Sequence, residues 1–271
     1  MNFSSDHENP FVRTYSLVKR SGILGTFIGR QLFKSAYFFY KRHFEDDLQG
    51  LLQSFPYLIG SDNVLDIGAN IGYTATVLAR AASPQCKIFA FEPEPFNFAI
   101  LQQTALTPEF TGKILAQQCA VGAESGIVDL WINDNHHGDH RVMTDQFRLS
   151  HSADNRSRVS QISIDSFLKH EDGKISFAKI DVQGYELAVC QGMRETLRQN
   201  PGIKVLLEFM PSAMRDMGFE PSHLIDLFTE QDFKIYVVHS GGKLSEGMPC
   251  LTSESSYINL LFSRRAISCN Q

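Results

Sequence analysis

Cysteines are few in this sequence, and none stands in the pairs that zinc sites and disulfide frameworks use. The five are scattered through 271 residues and are never spaced as C-x-x-C: Cys86, Cys119, Cys190, Cys250 and Cys269. An odd, dispersed set argues against a structural zinc site and against a disulfide-stabilised secreted domain. Because such thiols suit a reducing compartment, we expect a cytoplasmic protein.

Basic runs and uninterrupted apolar stretches are also lacking. The chain has 25 Lys and Arg against 30 Asp and Glu, a net charge of −5 and no basic cluster, so binding to nucleic acid is not indicated. The first ten residues lack the basic and apolar regions of a secretory signal. The most apolar window, residues 22–40, contains Arg30 and Lys34, which interrupt a membrane span. We expect a helix packed on the protein there, with peripheral membrane contact as the alternative.

The order of apolar patterns predicts a helical extension over residues 1–55 and one α/β domain over 56–271. In the extension, apolar residues recur at helical spacing, with an aromatic cluster at 33–39. In the domain, short apolar runs alternate with helical stretches, which is typical of a parallel sheet. The predicted strands are 64–67, 87–91, 114–119, 176–180, 205–208, 234–238 and 257–262, and the predicted helices are 73–82, 95–105, 185–198 and 221–231.

An insertion at about 123–162 breaks this alternation. Strand-like segments at 127–132 and 159–164 flank a polar stretch, which predicts a β-hairpin with a loop.

The stretch V-L-D-I-G-A-N-I-G-Y at residues 64–73 predicts a buried strand, a glycine turn and the start of a helix. Gly68 and Gly72 allow a tight turn and a close approach of backbone to ligand. Their spacing differs from the G-x-G-x-x-G of dinucleotide-binding folds, and the carboxylate of Asp66 would repel phosphate oxygens. A cationic ligand therefore suits this turn better than a diphosphate.

S-adenosyl-L-methionine is such a ligand, since it carries an ammonium group and a sulfonium but no phosphate. Glu92 ends the next predicted strand, and its two carboxylate oxygens can accept both ribose hydroxyls. At the end of the third predicted strand, the small residues Cys119 and Ala120 leave room for the adenine ring. Cys119 has an equal alternative as a buried small side chain. A nicotinamide-dependent oxidoreductase on a similar sheet is the alternative function.

Five motifs occur in the order of a known family: V-L-D-I-G-A-N-I-G-Y (64–73), F-E-P-E-P (91–95), S-I-D-S-F (163–167), K-I-D-V-Q-G-Y-E (179–186) and L-L-E-F (206–209). Together they resemble the FkbM-type methyltransferases, within the class I S-adenosylmethionine-dependent methyltransferases, over roughly residues 60–263. The resemblance implies a Rossmann-like α/β fold with a mostly parallel seven-stranded sheet, an antiparallel last strand and helices on both faces. It also implies O-methylation of a hydroxyl on a small-molecule or glycan acceptor, such as a sugar or secondary metabolite.

We expect the cofactor to contact the glycine turn and the ends of the neighbouring strands. The residues assigned to it are Asp66, Gly68, Ala69, Asn70, Gly72, Tyr73, Glu92, Pro93, Cys119, Ala120 and Asp181. No metal site is assigned, and an oligomer is left open.

Methyl transfer needs an acceptor oxygen aligned with the S–CH3 bond, and a base that takes the hydroxyl proton. Asp181 ends the fourth predicted strand, where ligands of open parallel sheets bind, so we expect it to orient the acceptor or act as the base. Lys179 lies two residues earlier and either pairs with Asp181 to keep it ionised or forms a structural ion pair only. Gln183 and Glu208 are the candidate acceptor contacts.

The loop N-D-N-H-H-G-D-H-R at residues 133–141 has three open interpretations: a metal site, acceptor recognition with a histidine base, or a solvated loop. Its spacing matches no established zinc pattern. In the second interpretation His140 acts in catalysis, and Arg141 holds a carboxylate or phosphate of the acceptor. A non-catalytic module that retains the cofactor pocket is the remaining alternative for the whole chain.

Overall fold

A computed structural model describes residues 26–44, 47–133, 136, 138–151, 155–248 and 257–268. From residue 26 onwards, two helices, α1 (Phe27–Phe44) and α2 (Asp47–Ser54), precede the first strand. The helical segment predicted upstream of residue 26, together with Cys250, Cys269 and His137, lies outside the described residues. Among the described helices, none is both long and apolar enough to cross a membrane.

Alternating strands and helices then build the first half of the main sheet: β1 (Asn63–Ile67), α3 (Tyr73–Ala81), β2 (Ile88–Phe91), α4 (Pro95–Ala105) and β3 (Ile114–Gln117). Every residue of β1 and β2 is buried, because helices cover both faces of these parallel strands. Helix α4 begins at Pro95. The side chain of the preceding Glu94 accepts a hydrogen bond from the amide of Asn97 and so caps the first turn.

The insertion forms a second sheet of four strands, in the order β4-β7-β5-β6. Its elements are β4 (Ala120–Val121), β5 (Gly126–Trp131), β6 (Arg141–Val142), α5 (Asp145–Ser150), β7 (Arg156–Ile162) and α6 (Ile164–Phe167). The antiparallel pairing of β5 with β7 confirms the predicted hairpin. Leu130, Phe147 and Val159 form the centre of a small core of its own.

The second half of the main sheet follows: β8 (Ile175–Ile180), α7 (Glu186–Gln191), α8 (Arg194–Gln199), β9 (Lys204–Phe209), α9 (Pro211–Asp216), α10 (Pro221–Thr229), β10 (Lys234–Val238), β11 (Leu244–Glu246) and β12 (Ile258–Ser263). Within the described ranges, three short 3-10 turns occur at Pro56–Leu58, Leu168–His170 and Ser240–Gly242.

The order of the main sheet is β11-β10-β12-β9-β8-β1-β2-β3, and the last strand, β12, runs antiparallel to both of its neighbours. The predicted Rossmann-like fold class is confirmed. The short strand β11 extends one edge antiparallel to β10 and makes an eighth strand that was not predicted. The strand order reverses between β1 and β8, so a crevice opens beyond their carboxyl ends, where ligands of such sheets bind.

Three predicted elements were wrong in their bounds. The strand predicted at 159–164 covers Arg156–Ile162 instead, because Ser163 accepts a hydrogen bond from the amide of Ser166 and caps α6. The third strand ends at Gln117 rather than Cys119, because Ala120 already pairs with Gln161 in the second sheet. The helix predicted over 185–198 is broken into α7 and α8 at Gly192, where a Cβ would lie 2.0 Å from the backbone oxygen of Gly122. That close approach fixes the second sheet against the main domain.

Candidate active site

The glycine turn between β1 and α3 lies at the point where the strand order reverses. Gly68 and Gly72 have φ angles of +79° and +92°, which favour glycine, and Asn70 shares the left-handed region at +50°. The amides of Gly68 and Ala69 donate to the backbone oxygen of Phe91 at 3.0 and 2.9 Å, which ties the turn to the end of β2. The turn is therefore held in place by backbone contacts before any ligand binds.

Asp66 is a buried carboxylate, and neither of its oxygens has a hydrogen-bond partner among the described residues. Burial raises its pKa to about 6, although the nearby Lys179 ammonium lowers it. A buried polar group without a partner costs free energy, so such a group indicates a missing ligand. A cationic ligand group with N–H donors fits this position, as the sequence predicted.

Glu92 follows β2 and is also buried. One carboxylate oxygen accepts the amide of Asn70 and the other accepts the amide of Glu94, both at 2.9 Å. Burial raises its pKa to about 8. Each oxygen keeps a second hydrogen-bonding position, so Glu92 can bond to two ligand hydroxyls, as an acceptor where it is ionised and as a donor where an oxygen carries the proton. Pro93 follows directly and is half-buried beside it.

Asp181 comes directly after β8, and its amide donates to the backbone oxygen of Ile67 in β1. Its side chain meets the Lys179 ammonium at 3.1 Å and the Gln183 amide nitrogen at 2.8 Å. Burial raises the pKa of Asp181, but these two donors outweigh it and hold the pKa below its usual value. The predicted pairing with Lys179 is confirmed, and Asp181 is an ionised acceptor with a third of its side chain still exposed.

Glu208, near the end of β9, joins the same network. The Gln183 side-chain nitrogen bridges the two carboxylates, at 2.8 Å from Asp181 and 3.0 Å from Glu208. Burial, followed by the negative charge of Asp181, raises the pKa of Glu208 to about 8. The pair therefore divides into an ionised carboxylate and a neutral carboxyl group at neutral pH.

Helix α1 packs over the starts of α3 and α4, as expected of a helix packed on the protein, although the place of contact was not predicted. Phe33 and Tyr37 pack with Ile71 and Ile100. One turn further along α1, the Lys41 ammonium lowers the pKa of both Asp181 and Glu208 by its charge. Phe33, Tyr37 and Lys41 are four residues apart, which places them on one helical face, and this spacing was the available signal.

Tyr73, the first residue of α3, belongs to the same contact. Its ring meets the ring of Phe38 edge to face at 5.3 Å between centroids. The aromatic cluster at residues 33–39 therefore packs on the glycine turn and on the first residue of α3.

The histidine-containing loop reaches the glycine turn through Gly138, where a Cβ would lie 3.4 Å from the side-chain nitrogen of Asn70. The Nδ1 of His140 accepts the amide of Asn133 at 3.1 Å, so in its neutral form the ring carries its proton on Nε2. Arg141 pairs with Asp139 at 2.6 Å. No group of three potential metal ligands occurs among the described residues.

Cys119 lies in the connection from β3 to β4 and Ala120 is the first residue of β4, and both are buried. Burial raises the pKa of the Cys119 thiol to about 11, and its side chain packs in the main core. The interpretation as a buried small side chain is supported, whereas the adenine contact stays a prediction.

The strand order and the glycine turn with its two acidic partners define a class I S-adenosylmethionine-dependent methyltransferase. The model of the methyltransferase FkbM domain matches residues 66–235, more than half of the chain, and the chain belongs to this family. The family resemblance is confirmed, the cofactor is S-adenosylmethionine, and the nicotinamide alternative is removed.

Three proteins with similar sequences are named as methyltransferases. The methyltransferase sdnD of Sordaria araneosa is 27% identical over 220 residues, which is 68% of this chain and 82% of that protein. The 31-O-demethyl-FK506 methyltransferase FkbM of Streptomyces tacrolimicus is 39% identical over 66 residues, 24% of each chain. The hexuronic acid methyltransferase AglP of Haloferax volcanii is 29% identical over 140 residues, so the match spans about half of each protein.

Among solved structures, the crystal structure of a "putative O-methyltransferase from Klebsiella pneumoniae" superposes with a TM-score of 0.50 at 9% identity. It covers 94% of this chain and 89% of that one. At this identity the likeness shows the fold alone.

Proposed function

We propose that this protein methylates a hydroxyl oxygen of a small-molecule or glycan acceptor, with Asp181 as the group that receives the hydroxyl proton. The observation that carries the proposal is the position of this carboxylate. It is held ionised by Lys179 and Gln183 and lies in backbone contact with the glycine turn. A positioned carboxylate that is ionised at neutral pH can accept the hydroxyl proton as the new oxygen–carbon bond forms.

The residues around the turn fit S-adenosylmethionine. Asp66 would hold the ammonium group, and Glu92 would accept the ribose hydroxyls. The backbone at Gly68, Ala69, Asn70 and Gly72 would line the ligand, with Tyr73, Pro93, Cys119 and Ala120 at its borders. When bound, S-adenosylmethionine supplies an electrophilic methyl group on a sulfonium.

Asp181 aligns the acceptor hydroxyl and takes its proton as the oxygen–carbon bond forms and the carbon–sulfur bond breaks. The products are a methyl ether and the neutral thioether, and the proton leaves Asp181 for solvent through its exposed third. Positioned proton transfer of this kind contributes about 100-fold or more to rate. Lys179 is then a positioning residue, because it touches Asp181 and the backbone oxygen of Gly68.

The acceptor side combines a neutral carboxyl with a cation. Glu208 at neutral pH can donate a hydrogen bond to a second oxygen of the acceptor, and Gln183 orients both carboxyl groups. Lys41 adds positive charge next to them. Such a site suits a polyhydroxylated acceptor with an acidic group. The names of two relatives, one acting on a hexuronic acid and one on demethylated FK506, agree with oxygen-rich acceptors.

In this proposal, His140 of the loop at residues 133–141 has a role that differs from the one expected from the sequence, whereas Arg141 keeps its expected role. His140 contributes a donor through Nε2 rather than a base, since Nδ1 already accepts the Asn133 amide. The bond from Arg141 to Asp139 uses Nε, so the terminal guanidinium nitrogens are the atoms that would contact an acceptor anion. Residues 56–271 act as the methyltransferase domain, and residues 1–55 act as an extension. Helix α1 of this extension lies over the acceptor side of the site.

Incubation with S-adenosylmethionine labelled with ¹³C at the methyl group tests the proposal. The acceptors are a panel of uronic acids, neutral glycosides and hydroxylated macrolides, and the product is read by NMR. We expect a new methyl ether on an acidic or neutral sugar. Label on nitrogen or carbon would contradict oxygen transfer. Binding of S-adenosylhomocysteine without label transfer to any panel member would favour the non-catalytic module.

A further inference from the structure

A second candidate site lies in the insertion, on residues that the methyl-transfer site does not use. A cavity of about 360 Å³ opens on the four-stranded sheet, lined by Ile127, Val128, Asp129, Met143, Arg148, Arg156 and Arg158. We name it the arginine groove. Its volume falls within the range of small-molecule sites.

Positive charge exceeds negative charge in the arginine groove. Arg148 and Arg156 donate to the same oxygen of Asp129, at 2.8 and 3.1 Å. Arg158 lies directly opposite Asp129 in the pairing of β5 with β7, and its positive charge lowers the pKa of Asp129. Its guanidinium group makes no hydrogen bond or ion pair within the described part of the chain. Three guanidinium groups thus surround one carboxylate, a surplus of two positive charges in a chain whose net charge is −5.

The arrangement of these groups points to a phosphate oxyanion. A guanidinium offers a planar set of donors that matches phosphate and carboxylate oxygens, and convergence of two guanidinium groups on one oxygen is a geometry that phosphate oxygens also accept. A surplus of two charges suits a ligand with at least two negative charges. The apolar side chains of Ile127 and Met143, on the wall of the same cavity, suit an organic portion attached to it.

We infer that the arginine groove binds a small molecule bearing a phosphate or diphosphate group, through Arg148, Arg156 and Arg158. This site is independent of the methyl-transfer chemistry. Asp129 occupies the anion position in the absence of that ligand and competes with it.

Calorimetric titration of the full chain with inorganic pyrophosphate, at constant ionic strength, tests the inference. Arg158→Gln should weaken binding about tenfold, since one charge-assisted hydrogen bond is lost. Because the exposed Arg158 side chain makes no hydrogen bond to any described residue, this variant should fold normally. Asp129→Asn should tighten binding about threefold, because it removes the competing carboxylate. The matched control is Arg198→Gln, which removes an exposed arginine that pairs with Glu195 on α8 and should leave binding unchanged.

Three results would overturn the inference. One is the lack of saturable pyrophosphate binding to the wild-type chain. A second is evidence that the anion binds elsewhere, given either by equal weakening in Arg198→Gln and Arg158→Gln or by displacement of pyrophosphate by S-adenosylhomocysteine. The third is binding to vesicles of anionic phospholipid without binding to pyrophosphate, which would assign the groove to a membrane surface.

Discussion

The backbone oxygen of Asp181 occupies the space that a side chain on Gly68 would need. A Cβ on Gly68 would lie 1.8 Å from that oxygen, far inside van der Waals contact. The glycine turn and the strand end that carries the proposed base are therefore in direct contact. A change in one must displace the other.

Gly68→Ala should destabilise the protein and abolish S-adenosylhomocysteine binding, because both the φ of +79° and the contact with Asp181 are incompatible with a side chain. Gly112→Ala is the matched control, since Gly112 has a φ of +77° but open space around its Cβ position. We expect the control to cost about 1–2 kcal/mol from backbone strain alone. Thermal unfolding and calorimetry measure both effects, and equal losses in the two variants would show that the contact is unimportant.

Cofactor affinity should depend on the ionisation of Asp66. Its pKa is raised by burial to about 6, and only the ionised form attracts an ammonium group, so affinity should fall as the pH drops through about 6. Asp66→Asn should bind S-adenosylhomocysteine about tenfold or more weakly at neutral pH and lose this step in the pH profile. The exposed Asp62→Asn serves as control. An unchanged profile in Asp66→Asn would remove the residue from the cofactor site.

Lys41→Ala tests whether α1 takes part in acceptor binding. Its charge acts on Asp181 and Glu208, so its loss should lower kcat/KM for an acidic acceptor about tenfold and leave S-adenosylhomocysteine affinity unchanged. Arg42→Ala removes the next, exposed cation of the same helix and should change neither quantity. Similar kinetics for both variants would mean that α1 has no role at the acceptor.

Glu208 should make the protein less stable at alkaline pH. Its pKa rises from 4.5 in the unfolded chain to about 8 in the fold, so the native state binds the proton more tightly, and stability falls as the pH rises through this window. Glu208→Gln should remove that part of the fall, about 2 kcal/mol at pH 8 after allowance for the half-exposed side chain. Urea unfolding at pH 5 and pH 8 measures it, with the exposed Glu230→Gln as control. A parallel decline in Glu208→Gln and wild type would contradict the assignment.

Much of the main sheet was predictable because its strands are short, apolar and separated by helices with clear starts. Pro95 at the first position of α4 and the glycine turn before α3 each follow a local rule. The positions of Asp66, Glu92 and Asp181 at the ends of β1, β2 and β8 followed from the same alternation. Local chemistry and global fold agree at these positions.

The rest depends on contacts between distant segments, which leave no local pattern. The early end of β3 reflects pairing of Ala120 with Gln161. The break at Gly192 reflects its contact with Gly122. The tautomer of His140 is set by a backbone amide seven residues away, and the reach of Lys41 to the active site depends on how α1 packs.

Turnover of Asp181→Asn, measured with an identified acceptor alongside S-adenosylhomocysteine affinity, tests the central claim most directly. We predict that kcat falls about 100-fold while the affinity for S-adenosylhomocysteine stays within about twofold, because Asp181 acts on the acceptor proton. Asp226→Asn, on the exposed side of α10, is the control. If the unpaired Lys179 ammonium destabilises the variant, the double variant Lys179→Gln/Asp181→Asn gives the same comparison without it. Wild-type turnover in a folded Asp181→Asn protein would contradict the account.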